Sequence, residues 1–222
     1  MATALIIGAS RGIGLALAKE YLAAGWRVIA TARQPKDIEN LTALGMEAFP
    51  CEVSDINDCA ALAWRLDGEK IDVAILSAGI MGDWTEKLDT PSSEQFHHVM
   101  HINVLAAMRI LPVIAPMIKN AKGKLAVISS RMGSLSLREG PDAWLYRASK
   151  AALNSVLLDV AHSFPGIISV ALHPGWVRTD MGGSGASLSP EQSAAGIRAT
   201  MAKLTLQDNG TFNNYDGQRL SW

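Results

Sequence analysis

Tyr146 and Lys150 are four residues apart in Trp-Leu-Tyr-Arg-Ala-Ser-Lys-Ala-Ala-Leu, a stretch whose leucines and alanines run on as one helix, so the two side chains share a face. A free phenol ionises near pH ~10, and a cation held beside it favours the phenolate. The pair is therefore a candidate acid/base group able to give or take a proton near neutrality. Taken alone, the spacing is equally well met by a surface tyrosine beside a solvated lysine, so the rest of the chain has to decide.

A second cluster with chemical potential opens the chain. Gly8-Ala9-Ser10-Arg11-Gly12-Ile13-Gly14 follows an apolar β-rich run and leads into a helical pattern, the setting in which glycines let backbone approach a pyrophosphate over a helix N-terminus. The spacing, G-x-x-x-G-x-G, keeps the mechanism of the common G-x-G-x-x-G fingerprint but not its letter. The same residues spell Gly-x-Ser-x-Gly, the nucleophile elbow of α/β-hydrolases, with Ser10 as nucleophile and Asp159 and His173 as available partners. That alternative lacks an oxyanion donor from an earlier βα loop, because only one strand precedes Ser10. At the end of the second expected strand, where NAD sites carry an acid for the ribose 2′-hydroxyl, stand Ala32 and Arg33. With no carboxylate to repel a 2′-phosphate, and with Arg33 and Arg11 able to bind one, the expected nucleotide is NADP(H).

The elements that must position these groups alternate along the chain. Nearly continuous apolar runs at Thr3 to Ile7, Arg27 to Thr31, Ala48 to Val53, Ile71 to Ser77, Lys124 to Ser129 and Ile167 to Leu172 read as strands buried on both faces. Helical patterns near Ile13 to Ala24, Asp37 to Leu44, Asp55 to Leu66, Ser93 to Ile118 and Ala143 to Ser163 lie between them. A last helix starts near Ser189-Pro190-Glu191, where serine caps and proline suits the first turn, and Gly210 to Tyr215 forms a closing strand. The expected fold is α/β: one doubly wound, Rossmann-type parallel sheet of about seven strands, with helices on both faces and residues 1–222 as a single domain. Two loops, Arg131 to Asp142 and the glycine- and serine-rich Met181 to Leu188, follow strands on the side where ligands bind and are candidates to wall a substrate site.

Composition excludes several function classes. Twenty basic residues against twenty-one acidic ones give a net charge of −1, which offers no electrostatic excess for nucleic acid or an anionic membrane. The apolar stretch Val104 to Ile118 is too short to span a bilayer and is interrupted by Arg109, Pro112 and Pro116. No basic segment precedes the apolar N-terminal run, and the two cysteines, Cys51 and Cys59, form no Cys-x-x-Cys pair. These features point to a cytoplasmic protein with reduced thiols. His97 and His101 have helical metal-ligand spacing but no third ligand, so no metal is expected.

The glycine loop with Tyr146 and Lys150 resembles the short-chain dehydrogenase/reductase family, and further landmarks follow in order. Ser77-Ala78-Gly79 stands where the family has Asn-Ala-Gly, Asn103 lies in His-Ile-Asn-Val, Ser129-Ser130 ends the fifth strand, and Pro174-Gly175-Trp176-Val177-Arg178-Thr179 follows the sixth. Tyr-Arg-Ala-Ser-Lys-Ala-Ala-Leu-Asn, His-Pro-Gly-Trp-Val-Arg-Thr-Asp-Met and the closing Tyr-Asp-Gly-Gln-Arg-Leu-Ser-Trp are similar to the C-factor branch, which includes carbonyl reductases and cell-signalling proteins.

The resemblance implies a catalytic set of Asn103, Ser130, Tyr146 and Lys150. Tyr146 would protonate the carbonyl oxygen as hydride arrives, Ser130 would hydrogen-bond that oxygen, and Lys150 would hold the nicotinamide ribose and lower the tyrosine's pKa. Asn103 would support a water chain to Lys150. Around the nucleotide it implies Gly8, Ser10, Arg11, Gly12, Ile13, Gly14 and Arg33, then Glu52 and Val53 at the adenine, and Ser77, Ala78 and Gly79. Pro174, Gly175, Val177 and Thr179 would lie near the carboxamide. The family's serine-to-tyrosine spacing is shorter than the sixteen residues from Ser130 to Tyr146, which makes Ser134 a conceivable substitute. Ser130 is preferred because a strand end fixes its hydroxyl. The activity implied is hydride transfer between NADPH and a small aldehyde or ketone, or the reverse alcohol oxidation. The alternative is a nucleotide-binding signalling or sensor protein with little turnover. A homodimer or homotetramer is implied as well, pairing through the Tyr146 helix, whose Ala151, Leu153, Val156 and Leu157 are compatible with it.

Overall fold

The apolar runs become strands covered on both sides. In the computed structural model, which describes residues 1–222, these are β1 (Thr3–Ile7), β2 (Arg27–Ala32), β3 (Glu47–Pro50), β4 (Val73–Leu76), β5 (Lys124–Ile128), β6 (Ile168–His173), β7 (Thr211–Asn214) and β8 (Arg219–Leu220). They form one sheet in the order β3-β2-β1-β4-β5-β6-β7-β8, parallel throughout except for the antiparallel β7–β8 pair. The sequence reading of about seven strands missed β8, whose two residues are too few to show a periodicity. It also overran β3 and β4: Pro50 has no N–H to continue the ladder, and β4 spans only Val73–Leu76.

Side-chain alternation splits the core into two layers. Leu5 and Ile7 of β1 point into a core shared with α3 (Ile56–Arg65), α5 (Ala106–Ala121) and α6 (Trp144–Ser163). Ala4 and Ile6 point the other way, toward α1 (Gly12–Ala23), α2 (Pro35–Ala43) and α7 (Pro190–Lys203). The start of α7 follows its sequence signal: Ser189 Oγ accepts from Gln192 N–H, Gln192 accepts from Ser189 N–H, and Pro190 fills the first turn.

The helix expected over Ser93 to Ile118 is divided. α4 (Ser93–Met100) passes into a π-helical turn, His101–Leu105, before α5 begins. The whole run Ser93–Ala121 is 29 residues long and contains an 18-residue stretch with a mean hydropathy of 1.6, so by length and composition it could cross a membrane, where the sequence reading weighed only the shorter stretch Val104 to Ile118. It lies instead against the sheet, with Ile110, Leu111, Ile114 and Ile118 fully buried. Pro112 and Pro116 face outward, where the carbonyls they leave unpaired can meet water. On α6, Leu153, Val156 and Leu157 belong to this chain's own core. They are therefore unavailable for the subunit pairing that the sequence offered them for, and Ala151 remains partly exposed.

β1 lies between β2 and β4, so the chain's crossovers leave in opposite directions from it. The crevice at the carboxyl ends of these strands is where an open α/β sheet binds its ligand. The loops after β1, β4, β5 and β6 all open there.

Candidate active site

The glycine loop is shaped by close approach. Gly8 has φ +86°, and a β-carbon there would meet the Ala78 backbone at 2.9 Å. A β-carbon on Gly14 would stand 2.1 Å from the Gly8 carbonyl oxygen, and one on Gly12 would touch Thr179 at 3.3 Å. The loop is thus pressed between β4 and the segment after β6. No side chain caps α1, which leaves the N–H groups of its first turn for an outside acceptor. This uncapped, glycine-cleared cradle fits a pyrophosphate.

The arginines beside it are already engaged. Arg11 pairs with Asp180 at 2.5 Å and Arg33 with Glu52 at 3.5 Å; both arginines and Asp180 are exposed and Glu52 is half-buried. Burial works to raise Glu52, but hydrogen bonds from the Ser54 backbone and hydroxyl, together with Arg33, hold it below the usual carboxylate range. A 2′-phosphate at Arg33 competes with that carboxylate.

Deeper in the crevice, α6 brings Tyr146 and Lys150 to the ends of β4 and β5. Both are buried, at 6% and 4% exposure. The Lys150 ammonium donates to the Ile128 carbonyl at 2.9 Å and lies 5.7 Å from the centre of the Tyr146 ring. Burial pushes Lys150 down to about 8. It also pushes Tyr146 up to about 12, with the Ser130 side chain drawing it partly back. In the chain by itself, burial thus raises the phenol that the sequence led one to expect lowered.

Asn103 sits in the π-helical turn, a deviation frequent at functional positions. Its Oδ1 accepts from Ile80 N–H at 2.8 Å, and its Nδ2 donates to the Ile80 carbonyl at 2.8 Å and to Ser149 Oγ at 2.9 Å. The side chain thus fixes the Gly79–Ile80 backbone against Lys150. A β-carbon on Gly79 would lie 3.2 Å from the Lys150 ammonium and 3.3 Å from Asn103 Oδ1.

Of the two serines, Ser130 is the one that reaches the cavity. It accepts from Met132 N–H at 3.1 Å and lines the same wall as Tyr146. Ser134 is fully buried, donating to the Ser221 carbonyl at 2.8 Å and accepting from Leu137 N–H at 3.0 Å. Ser129, next to Ser130, donates to Asn154 Oδ1 at 2.5 Å.

Two adjoining cavities result. The first, of about 440 Å3, is lined by Gly8, Ser10, Arg11, Gly12, Ile13, Gly14, Arg33, Glu52, Val53, Ser77, Ala78, Gly79, Tyr146, Lys150, Pro174 and Thr179 among the expected nucleotide residues. The second, of about 710 Å3, is lined by Ser130, Tyr146, Gly175, Val177 and Thr179. Tyr146 borders both. Gly175 and Val177 thus face the second cavity rather than the first, and Asn103 lines neither, standing behind Gly79 and Ile80 of the first. The hydrolase alternative finds no support in this arrangement. Ser10 lines the first cavity and His173 the second, and burial, with Arg131 beside it, pushes His173 down to about 4.

The family model described as short chain dehydrogenase matches residues 2–187. The chain belongs to the short-chain dehydrogenase family. It is 32% identical, over the full length of both chains, to the 1-hydroxy-2-glutathionyl-2-methyl-3-butene dehydrogenase of Rhodococcus sp. (strain AD45). It is 34% identical to the C-signal protein of Myxococcus xanthus, over 68% of this chain and 93% of that one. Among solved structures, a carbonyl reductase from Pseudomonas aeruginosa PAO1 in complex with NADP superposes over 100% of both chains with a TM-score of 0.87 at 35% identity.

Several residues of this short-chain dehydrogenase's site escaped the sequence reading. Cys51, Ile80, Ile102, Ile128 and Asp180 are among the further residues of the first cavity, and Met81 and Trp84 wall the second beside Met132 and Leu137 of the Arg131 to Asp142 loop, which the sequence had already offered as a wall. Asp180 had a signal, since it directly follows the Val177-Arg178-Thr179 segment already placed at the nucleotide. Met81 and Trp84 had none, lying in an irregular loop after β4 that no periodicity describes.

Proposed function

We propose that the chain is an NADP(H)-dependent carbonyl reductase that converts a small-molecule aldehyde or ketone to its alcohol and catalyses the reverse oxidation when NADP+ is abundant. The observation that carries this reading is the position of Tyr146 on the wall common to both cavities, where a nucleotide on one side and a carbonyl on the other would meet its hydroxyl. The uncapped α1 terminus and the glycine loop would hold the pyrophosphate, Arg11 and Arg33 the 2′-phosphate, Glu52 and Val53 the adenine side, and Lys150 the ribose nearest the reacting end. The nucleotide, when bound, supplies the hydride.

The chain's own part is to place and move the proton. Ser130 and Tyr146 would donate hydrogen bonds to the carbonyl oxygen, meeting charge as it develops there. A phenol held up at about 12 arrives protonated at neutral pH and can pass its proton to that oxygen. Lys150, held at about 8, can return one near neutrality. Asn103 fixes the Gly79–Ile80 backbone that confines the Lys150 ammonium and would border a water chain leading to it.

The test is NADPH consumption against a panel of aldehydes and ketones, with Tyr146→Phe as control. Loss of a general acid is expected to slow turnover about 10²–10⁴-fold while NADPH binding persists. NADPH binding without turnover of any carbonyl would favour a nucleotide-binding signalling role, the alternative suggested by the C-signal relative. Ester cleavage without nucleotide, lost in Ser10→Ala, would favour the hydrolase.

A further inference from the structure

Beside Tyr146 and Ser130, the lining of the second cavity includes Trp84, Trp176, Met81, Met132 and Met181. The two indoles leave 55% and 59% of their surface exposed, although large rings in a folded chain ordinarily leave water where they can, and a group of them left open marks a binding surface. Trp176 is held in place: its indole N–H donates to the Gly182 carbonyl at 2.8 Å, so the ring is a fixed wall. Trp84 precedes Thr85, whose carbonyl accepts from Ala143 N–H at 2.8 Å just before α6, so this ring too rides on tethered backbone. Indoles offer flat π faces, and the methionines around them adapt to a ligand's outline.

Charge on the wall narrows the ligand further. Arg131 pairs with Glu139 at 2.7 Å, Arg147 with Asp142 at 2.8 Å and Asp180 with Arg11 at 2.5 Å. Each of these charges already has a partner of opposite sign, which a charged group on the ligand would have to displace, whereas a neutral ligand leaves the pairs as they are. The volume of about 710 Å3 is in the range that encloses a drug-sized molecule and far exceeds what a three- or four-carbon aldehyde fills.

We propose that this site takes neutral aromatic carbonyl compounds, the ring lying against Trp176 and Trp84 while the carbonyl reaches Tyr146 and Ser130. The assignment rests on the reductase reading and adds its substrate class.

The test compares two methyl ketones that differ in the ring alone: 2-naphthylacetone and its fully saturated decalin analogue. In both, a methylene separates ring from carbonyl, so intrinsic reactivity is matched. The unmutated protein is expected to favour the naphthyl ketone about tenfold in kcat/KM, chiefly through KM. Trp176→Leu should bring the ratio close to one, Trp176→Phe should restore most of it, and Trp84→Leu should lower it in part. Equal kcat/KM for the two ketones in the unmutated protein overturns the assignment, as does a ratio unmoved in both leucine variants. Binding is read separately, by quenching of tryptophan fluorescence on titration with the naphthyl ketone. Saturable quenching without turnover of any carbonyl overturns the reductase reading and leaves the aromatic site standing. Turnover of both ketones at equal kcat/KM without quenching overturns the aromatic site and leaves the reductase reading standing.

Discussion

The Lys150 ammonium donates to the Ile128 carbonyl at 2.9 Å, so the lysine is oriented by the end of β5 and stands beside Tyr146 without an anion to balance it. A buried cation with one neutral partner weakens the fold, because desolvation is only partly offset by a single carbonyl. The same geometry leaves its remaining N–H groups free to reach a ligand.

This imbalance predicts a trade of stability against function. Below pH ~8 the ammonium is charged in both folded and unfolded chains, and the folded one bears the burial penalty. Between the folded value of about 8 and the ordinary 10.5, the unfolded chain binds the extra proton, so stability contributed by this group rises with pH. Lys150→Met is therefore expected to be more stable than the unmutated protein at pH 7, by up to about 3 kcal/mol. The advantage should shrink between pH ~8 and ~10.5, and NADPH oxidation should be lost. Urea unfolding across that range is the check, and a variant destabilised at pH 7 would contradict the argument.

The two serines separate by what each hydroxyl touches. Ser130 faces the cavity beside Tyr146, so Ser130→Ala should lower kcat substantially with little change in Tm. Ser134 ties the loop after β5 to the Ser221 carbonyl. Ser134→Ala should cost about 1–3 kcal/mol, since it removes one partner of a buried hydrogen bond, and should leave the pH profile of turnover unaltered. Parallel thermal unfolding and kinetics distinguish the two, and an exchange of these phenotypes would move the catalytic hydroxyl to Ser134.

Under the proposed function, cofactor choice would turn on the Arg33–Glu52 pair, 3.5 Å apart. Arg33→Ala is expected to weaken NADPH binding about tenfold, the loss of one charge-assisted contact at an exposed position, and to leave NADH nearly unaffected. Arg33→Asp should shift preference toward NADH. Glu52→Gln frees the guanidinium, so NADPH affinity should rise a few-fold. Calorimetric titration of both nucleotides measures each change, and equal affinity of the unmutated protein for NADPH and NADH would remove the role given to Arg33.

How much of this was legible depended on whether a residue's role was local. β1, the glycine loop and the cap of α7 were readable because their determinants lie within a few residues of each other. Tyr146 and Lys150 were readable as neighbours on one helix, but not their ionisation, since burial by β4 and β5 is a long-range property that reverses the local expectation. The break in the helix at His101–Leu105 was hidden for the same reason: Asn103 is held by Ile80, twenty-three residues away in the chain. The indoles of the second cavity come from loops after β4 and β6, where sequence gives composition but no direction.

Gly14 tests the cradle without touching any group assigned to the chemistry. Its side-chain position is filled by the Gly8 carbonyl oxygen at 2.1 Å and by Ser77 Oγ at 3.2 Å. A methyl group there cannot be relieved by a rotamer change, because the nearest obstacle is backbone. α1 must move away from β1, opening the loop that would hold the pyrophosphate. Gly14→Ala is therefore expected to destabilise the protein by about 1–3 kcal/mol, the usual result of overpacking, and to weaken NADPH binding by at least about tenfold. Gly166→Ala is the control, since a β-carbon there meets only the Lys119 side chain at 3.9 Å. Thermal unfolding and nucleotide titration of the pair check the prediction. If Gly14→Ala kept the Tm and the NADPH affinity of the control, the close approach of α1 to β1 would not be what shapes the nucleotide site.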